Sequence, residues 1–516
     1  MDADQTVRFM RGVEKPWIAF KVPASGTVQP EPGFKSALEN GADFLCLGMF
    51  DFQVEANAKL MNTLLASNET RNRTRAWMDW SKMTHRWFCL SLVWCVALGL
   101  RAGDTLAAPS VVRVQARDGG YCLERNGAPF FIKGAVGSYR LDLLAAAGAN
   151  SVRMCPQGLD AAHKAGLTCL VALPLENPRH GFDYRDRARV EAQFDTVRSI
   201  VRRHRNHPAL LAWNLGNELE ISTTAEQRVA LWQEVNRLAV MVKQEDANHP
   251  VIAVLGDAYR RILNELDALC PALDAVGLNS YADMLTLPED IARQGWNRPY
   301  VVTEFGPRGH WQVPKTPWRM PIEDTSSAKA EFYLKAYRHA VEGRSNCLGS
   351  YVFYWSHKQE KTHTWYGMFL PDGSRTESID VMTFLWSGRW PANRSPRIEE
   401  SGIRLLRDNR QSGAWETLLA GQRARFGVTV TDPEGDAVKV TWDLRTDLAD
   451  NPGVGGNPEP ETAPIQRAII ETWQGGQVVE IQLPRKPGFY RLFAYAHDGQ
   501  GNAATANLPI LSVMPD

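Results

Sequence analysis

The segment Leu210-Leu-Ala-Trp-Asn-Leu-Gly-Asn-Glu218 decides the interpretation of the fold. It is a short, mostly apolar run that ends in a glycine and two polar residues. The segment Tyr300-Val-Val-Thr-Glu304 repeats the pattern, with an apolar run followed at once by a carboxylate. Short apolar runs bounded by turn residues are typical of parallel strands that are buried on both faces.

Similar runs recur between residues 109 and 395. The gaps between them show helical periodicity, as in Arg187–His204 and Ala225–Glu245. Strands that alternate with helices in this way predict a (β/α)8 TIM barrel. The Asn126-Gly turn inside an alternating segment predicts a leading β-hairpin at the bottom of the barrel. The predicted strands are Phe130–Gly134, Ser151–Met154, Thr168–Leu173, Leu210–Leu215, Val251–Leu255, Ala275–Leu278, Tyr300–Thr303 and Ser350–Tyr354.

Two carboxylates follow strands of this predicted barrel. Glu218 comes after strand four and Glu304 after strand seven, so both would lie at the mouth formed by the carboxyl ends of the strands. Like charges held close together raise the pKa of one of them. Cleavage of a glycosidic bond needs such an asymmetric pair, because one carboxyl donates a proton while the other attacks the anomeric carbon.

Several motifs, in order along residues 111–390, resemble the TIM-barrel domain of glycoside hydrolase family 2, within clan A of the glycosidases. They are the phrase Cys122-Leu-Glu-Arg-Asn-Gly-Ala-Pro-Phe-Phe-Ile-Lys-Gly at the barrel entry, Asn150-Ser-Val-Arg153 at strand two, Asn217-Glu218, Asn279-Ser-Tyr281 after strand six, and Trp355 after strand eight. Each motif is weak alone, and their order at the expected strand ends makes the set specific.

The resemblance implies a retaining glycoside hydrolase that cleaves β-linked glycans by double displacement, with Glu218 as general acid/base and Glu304 as nucleophile. It implies that Asn217 bonds the sugar 2-hydroxyl, and that Arg153 and Tyr281 hold Glu304 ionised. Retention requires the two carboxyls to lie about 5–5.5 Å apart. The substrate-binding residues are predicted to be Arg153, Asn217, Asn279, Tyr281, Trp355, Trp365, His310 and Trp311, with Glu176 and His180 as further rim candidates.

The sequence leaves open which glycan is the substrate and whether water or a second sugar accepts the glycosyl group. Family 2 enzymes usually carry a jelly roll and an immunoglobulin-like domain before the barrel, whereas a short hairpin precedes it here. An open cleft acting on a β-glucan-like polymer is therefore as plausible as removal of single sugars. A β-glucan transglycosylase would use the same residues, and a non-catalytic carbohydrate-binding barrel is the alternative outside enzymes. The expected partner is an oligo- or polysaccharide.

The chain before the barrel has an unusual arrangement. Residues 83–108 combine a basic start, the apolar run 88–100 and small residues at Thr105, Ala107 and Ala108, which predicts a signal peptide and a secreted or periplasmic protein. Residues 1–82 precede it, and we interpret them as a mis-called start or a gene-fusion remnant. The alternative is a genuine cytoplasmic segment before a signal anchor, and only a retained anchor at 88–100 would bring the protein to a membrane.

The C-terminal residues of the sequence are predicted to form a separate module. After a predicted linker at 396–415, residues 416–516 show short alternating segments and turn motifs, which predict an immunoglobulin-like β-sandwich. The run Asp432-Pro-Glu-Gly-Asp436 is interpreted as a turn in preference to a calcium site.

Composition excludes several classes of protein. The 516 residues carry 58 Lys and Arg against 58 Asp and Glu, so no global field attracts nucleic acid. The 8 cysteines contain no CxxC pair and no zinc-binding spacing. We therefore predict no metal and no cofactor.

Overall fold

The structure, a computed structural model, describes residues 109–117, 119–256, 259–407, 410–411, 417–448 and 459–515, together with residues 7, 17–20, 30–42, 44–46, 57, 60–61 and 63–64. Contacts divide the chain into two units, Met1–Thr105 and Leu106–Asp516. In the first unit, the strands Ile18–Phe20 and Phe44–Cys46 pair in parallel, and helix Pro30–Glu39 lies between them in sequence. The predicted signal peptide, 83–108, lies outside the described residues. Across the described parts of the chain, no helix has the length and apolar character needed to cross a membrane.

Eight parallel strands close into a barrel in the second unit, as the sequence predicted. Four strands differ from their predicted bounds, and of these strands six and seven only extend further, to Asn279 and Phe305. Phe130 ends a preceding antiparallel strand, so barrel strand one begins at Ile132, and strand eight begins at Cys347 and ends at Val352, each earlier than predicted. In order along the chain, the barrel strands are Ile132–Val136, Ser151–Met154, Thr168–Leu173, Leu210–Leu215, Val251–Leu255, Ala275–Asn279, Tyr300–Phe305 and Cys347–Val352.

A helix follows each barrel strand before the next begins. Helix Arg187–His204 starts at an Asp186 cap, and helix Ala225–Glu245 starts at a capping box of Thr224 and Gln227, which explains why both match their predicted bounds. The other α-helices are Leu141–Ala146, Leu159–Lys164, Tyr259–Leu269, Leu287–Arg293, Ser326–Ala340 and Glu377–Ser387. Short 3-10 helices lie at Pro156–Gly158, Pro178–His180, Ala282–Leu285 and Gln474–Gly476.

A three-stranded antiparallel sheet covers the amino ends of the barrel strands. The predicted hairpin is its first part, formed by Val112–Arg117 and Gly120–Arg125, and Ala128–Phe130 adds the third strand. Its buried side chains Val112 and Leu123 share an apolar cluster with Leu170, Leu211, Ile252, Ala275, Val301 and Leu348 of the barrel. The bottom of the barrel is therefore closed by hydrophobic packing.

The C-terminal module, which we define as residues 397–515, contains a five-stranded and a four-stranded sheet around one apolar core. The range predicted as a linker, 396–415, instead contributes strands to it: Leu405 pairs with Phe426, and Ile398 pairs with Val430. The immunoglobulin-like character of the module stays a prediction. Its strands are Arg397–Ile398, Arg404–Arg407, Arg410–Gln411, Leu418–Leu419, Arg423–Gly427, Val430–Thr431, Lys439–Thr446, Ile469–Trp473, Val478–Gln482, Gly488–His497 and Ala503–Val513.

Candidate active site

Glu304 lies at the carboxyl end of barrel strand seven, with both carboxylate oxygens engaged. Arg153, on strand two, donates from Nη1 to Oε1 of Glu304 at 2.7 Å. Tyr281, which follows strand six, donates its hydroxyl to Oε2 at 3.0 Å. Arg153 is 6% exposed and Glu304 9% exposed, so this ion pair is shielded from bulk water. The two donors hold the Glu304 carboxylate in one orientation.

Glu218 follows strand four in a turn with positive φ angles, 75° at Gly216 and 51° at Glu218 itself. A positive φ is unfavourable for a residue with a side chain, so the surroundings must hold this turn. The backbone N–H of Glu218 donates to the carbonyl of Val254 at 2.9 Å. Asn177 donates from Nδ2 to the carbonyls of Asn217 and Glu218, at 3.1 Å and 3.2 Å. These bonds aim the Glu218 side chain into the barrel mouth.

A chain of hydrogen bonds joins the two carboxylates. Asn217 Oδ1 accepts from Arg153 Nη2 at 2.7 Å and from Asn279 Nδ2 at 3.1 Å. Asn279 Nδ2 also donates to Glu218 Oε1 at 2.8 Å, and its own Oδ1 accepts from Thr303 at 2.8 Å. Since Asn217 uses its oxygen for both donors, its amide nitrogen is the group left to donate to a ligand.

The electrostatics of the pair are set by burial. Burial raises the pKa of Glu304, the Arg153 charge opposes that shift, and the Glu218 charge adds to it. Burial and the charge of Glu304 also raise the pKa of Tyr281, so its hydroxyl remains a proton donor to the carboxylate. Arg153 and Tyr281 are thus the groups that favour the ionised form of Glu304 against the effect of burial.

Aromatic side chains surround Tyr281. The rings of Phe353, Tyr366 and Trp311 contact it edge-on, with centroids 6.2, 5.8 and 5.5 Å away. Trp311 is 47% exposed, so one face of its indole is open to solvent at the edge of the site. His310 is bonded through Nδ1 to the Tyr366 hydroxyl at 3.0 Å, and burial lowers the pKa of His310 to about 4, so it is neutral at pH 7.

Two of the tryptophans predicted to bind the substrate have rings that are buried in the structure. Trp355 is 0% exposed and packs against Phe369 and Trp386, while Trp365 is 1% exposed and donates from Nε1 to the carbonyl of Arg308. A fully buried ring offers no face to a sugar. The sequence placed both tryptophans after strand eight but carried no signal for which side of the loop each would occupy.

The structure adds residues that sequence reasoning missed. Arg179 reaches Glu218 Oε2 from Nη2 at 3.4 Å, and Asn177 on the same loop supports the turn at Glu218. The sequence had indicated this loop through Glu176 and His180, which are both exposed. The segment Asn177-Pro-Arg179 between them was the available signal, because Asn before Pro starts a turn.

A third carboxyl, Glu220, lies buried beside Glu218. Its Oε1 accepts from the backbone N–H of Gly256 at 2.7 Å. Burial raises the pKa of Glu220 to about 7, and the charge of Glu218 adds to the shift. Nothing in the sequence pattern had singled it out.

Comparison with known proteins places this geometry in context. Residues 172–312 match the family model described as "Glycosyl hydrolases family 2, TIM barrel domain". The matched region contains both Glu218 and Glu304, as well as Asn279 and Tyr281. The resemblance of the barrel to family 2 is thereby confirmed. No curated protein matches the chain significantly.

Solved structures that align with part of this chain include a calcium-binding mutant of Bacteroides uniformis beta-glucuronidase 2, with 16% identity and a TM-score of 0.42 over 79% of this chain and 48% of that one. A family 2 beta-galacturonidase from Eisenbergiella tayi, bound to galacturonate, has 16% identity and a TM-score of 0.42 over 54% of each chain. A Dictyoglomus thermophilum beta-D-glucuronidase has 18% identity and a TM-score of 0.42, again over 54% of each chain. The chain thus spans about half the length of the structures it matches.

Proposed function

We propose that this protein is a retaining glycoside hydrolase for β-linked glycans, with Glu304 as nucleophile and Glu218 as general acid/base. The observation that carries the proposal is the unequal environment of the two carboxylates at one barrel mouth. Glu304 is bonded by a guanidinium and a phenol, both of which favour its ionised form. Glu218 accepts from an amide on one oxygen, and its one ion-pair contact among the described residues is the longer one to Arg179, at 3.4 Å.

The proposed reaction has two steps, formation of a glycosyl ester with Glu304 and its hydrolysis. In the first, Glu218 gives its proton to the glycosidic oxygen as the bond from that oxygen to the anomeric carbon breaks, and a Glu304 oxygen bonds to the anomeric carbon. In the second, a water gives a proton to Glu218, its oxygen bonds to the anomeric carbon, and the ester bond to Glu304 breaks. The free amide nitrogen of Asn217 is placed to donate to the sugar 2-hydroxyl in both steps.

The surroundings of the site support a saccharide ligand. Trp311 presents an exposed indole next to Tyr281, whose hydroxyl contacts the nucleophile. An exposed ring beside buried carboxylates suits a sugar, whose faces are apolar and whose edges form hydrogen bonds. We keep export of the protein to the periplasm or medium as part of this proposal, on the basis of the segment 83–108.

The test is to incubate the purified protein with a panel of β-linked oligosaccharides, polysaccharides and aryl glycosides, and to follow product anomers by NMR. We expect one or more substrates to be cleaved with the β-anomer formed first, and both Glu304→Gln and Glu218→Gln to lose activity. Thr303→Ser, which keeps the hydroxyl that donates to Asn279, serves as a matched control at the same strand end and should stay active.

Outcomes of this test separate the competing functions. Products longer than the substrate would show that an acceptor sugar replaces water, as in a transglycosylase. An α-anomer as first product would contradict the retaining mechanism. Full activity in Glu304→Gln would contradict the assignment of the nucleophile, and binding of glycans without any cleavage would indicate a non-catalytic barrel.

A further inference from the structure

The loop that follows barrel strand eight, residues 353–368, has two sides with different neighbours. We call it the strand-eight loop. On its inner side, Phe353 and Tyr366 pack against Tyr281, the residue that donates to the nucleophile Glu304. Tyr366 also bonds His310, and Trp365 bonds the carbonyl of Arg308. The inner side is therefore the wall that surrounds Tyr281.

The outer side of the same loop contacts the C-terminal module. The backbone N–H of Lys361 donates to Glu459 Oε2 at 2.7 Å. His363 Nε2 lies 2.7 Å from the hydroxyl of Tyr495, and the His363 ring lies 4.6 Å from that of Phe493. Burial lowers the pKa of His363 to about 4, so at neutral pH this contact is a bond between uncharged groups.

A buried polar network joins the module to the base of the loop. Glu323, on the barrel side, accepts from Lys329 at 2.5 Å, from Thr364 at 2.9 Å and from Asn507 of the module at 2.6 Å. Asn507 in turn accepts from Arg491 at 2.7 Å. Arg491 also donates to Asp447 and to the carbonyl of Pro321, so it joins both parts of the protein.

These contacts are close in sequence to the wall residues. Residues 361–364 contact the module or Glu323, and residues 365 and 366 form the inner wall. Lys361 and His363, which contact the module, are five and three positions before Tyr366, so a shift at the outer contacts would reach Tyr366 and through it Tyr281. Glu323, Lys329 and Asp447 are buried, and such charged groups are stable only while their partners remain in place.

We propose that the C-terminal module is a working part of the active site: Glu459, Tyr495 and Asn507 are positioning residues that hold the strand-eight loop, which in turn holds Tyr281 against Glu304. The catalytic consequence of this proposal rests on the proposed function. It differs from a module that binds polysaccharide on its own surface, because the groups it uses face the barrel.

The test uses the full chain and the double variant Tyr495→Phe with Glu459→Ala. It removes the bonds of His363 and Lys361 to the module, including the Lys361–Glu459 ion pair, and keeps the ion pairs of Glu323 with Lys329 and of Arg491 with Asp447. The matched control is Tyr490→Phe, which loses one hydroxyl bond inside the module, to the carbonyl of Lys486, on the same strand as Tyr495. Glu459→Gln keeps an oxygen acceptor for the Lys361 N–H and loses only the charge that pairs with the Lys361 ammonium at 4.0 Å, so we expect a smaller effect than in the double variant.

Two readouts are combined. Hydrogen exchange followed by mass spectrometry reports on peptides that cover 353–368 without requiring catalysis. We expect exchange there to become about tenfold faster in the double variant and to stay unchanged in the control. On the aryl β-glycoside that the wild type cleaves, we expect kcat to fall about tenfold with KM changed less than about twofold, because the nucleophile is misplaced while binding persists.

Unchanged exchange in the loop would overturn the proposal, as would faster exchange with unchanged kcat. An equal fall in kcat in Tyr490→Phe would also overturn it, because the effect would then be general destabilisation. A wild-type protein that cleaves no glycoside would overturn the proposed function and the catalytic role of the module together, and the exchange measurement would then show separately whether the module holds the loop.

Discussion

The two ends of the barrel are formed by the same strands, yet they are closed in opposite ways. At the amino ends, Leu211 and Ile252 pack against Leu123 of the covering sheet, and the cluster is apolar throughout. At the carboxyl ends, Arg153 and Glu304 are almost as deeply buried, but they are charged and bonded to each other. Burial of apolar surface stabilises a fold, whereas burial of charge costs free energy even when the charge is paired.

The difference separates residues that mainly stabilise the fold from residues that are proposed to take part in the reaction. The apolar end should tolerate little loss of volume but have no influence on the reaction. At the polar end, loss of a side chain should have a large effect on rate in addition to its cost in stability, because the remaining charge is left buried without its partner. Substitutions at the two ends can therefore test the comparison.

The largest effect is expected at the polar end, from Arg153→Met. The variant removes the positive charge from Glu304 and a donor from Asn217, so we expect kcat/KM to fall about 10³-fold, equivalent to about 4 kcal/mol of transition-state stabilisation. Steady-state kinetics on the identified substrate measures this. Arg153→Lys keeps the charge without the two-pronged geometry and should recover part of the rate. A loss below about fivefold in Arg153→Met would contradict the role assigned to this ion pair.

At the apolar end, Leu211→Ala should lower the free energy of unfolding by about 2–5 kcal/mol, because it leaves a cavity in a fully buried cluster. Urea denaturation gives this value. We expect kcat/KM of the folded variant to stay within about twofold of the wild type. Leu211→Met, which nearly conserves volume, is the control and should cost less than about 1.5 kcal/mol. A large loss of rate in a variant that remains folded would remove the contrast between the two ends.

Glu220 tests the cost of burying charge at the polar end. Its pKa is raised from 4.5 to about 7 by burial, so the folded state binds its proton more tightly than the unfolded state. The favourable contribution of protonated Glu220 to the free energy of unfolding is complete below pH 4.5 and is lost as the pH rises through 7. Relative to Glu220→Gln, the wild type should lose about 3 kcal/mol of stability between pH 4.5 and pH 8.

The measurement is urea unfolding of both proteins across that pH range. The charged groups that act on Glu220 are Glu218, which raises its pKa, and Arg179, which lowers it. Arg228 also interacts with it. A difference between the two proteins that does not change with pH would show that Glu220 has an ordinary pKa.

The smallest effect is expected at the exposed rim, from Trp311→Ala. Loss of an aromatic platform should raise KM about five- to tenfold, about 1 kcal/mol, with kcat changed little. Trp311→Phe keeps part of the ring surface and should lie in between. An unchanged KM in Trp311→Ala would show that the sugar does not contact this ring.

The site was predictable where strand order decides it. Arg153, Asn217, Asn279 and Tyr281 follow or end barrel strands, and parallel strands bring their carboxyl ends together, so their convergence on Glu218 and Glu304 could be expected from the sequence. Residues on the loops were less predictable. Trp355 and Trp365 were expected to face the sugar but are buried, and Arg179 and Glu220 were found only in the structure.

The sequence alone determined the barrel, the bounds of its longer helices and the placement of Glu218 and Glu304 at the carboxyl ends of its strands, because hydrophobic periodicity is a local property of the chain. Only the tertiary structure decided which side each aromatic residue of the strand-eight loop occupies, and that the C-terminal module contacts this loop. Such contacts, like that of His363 with Tyr495, join residues 132 positions apart. No local pattern encodes them, because they depend on how two separately formed cores meet.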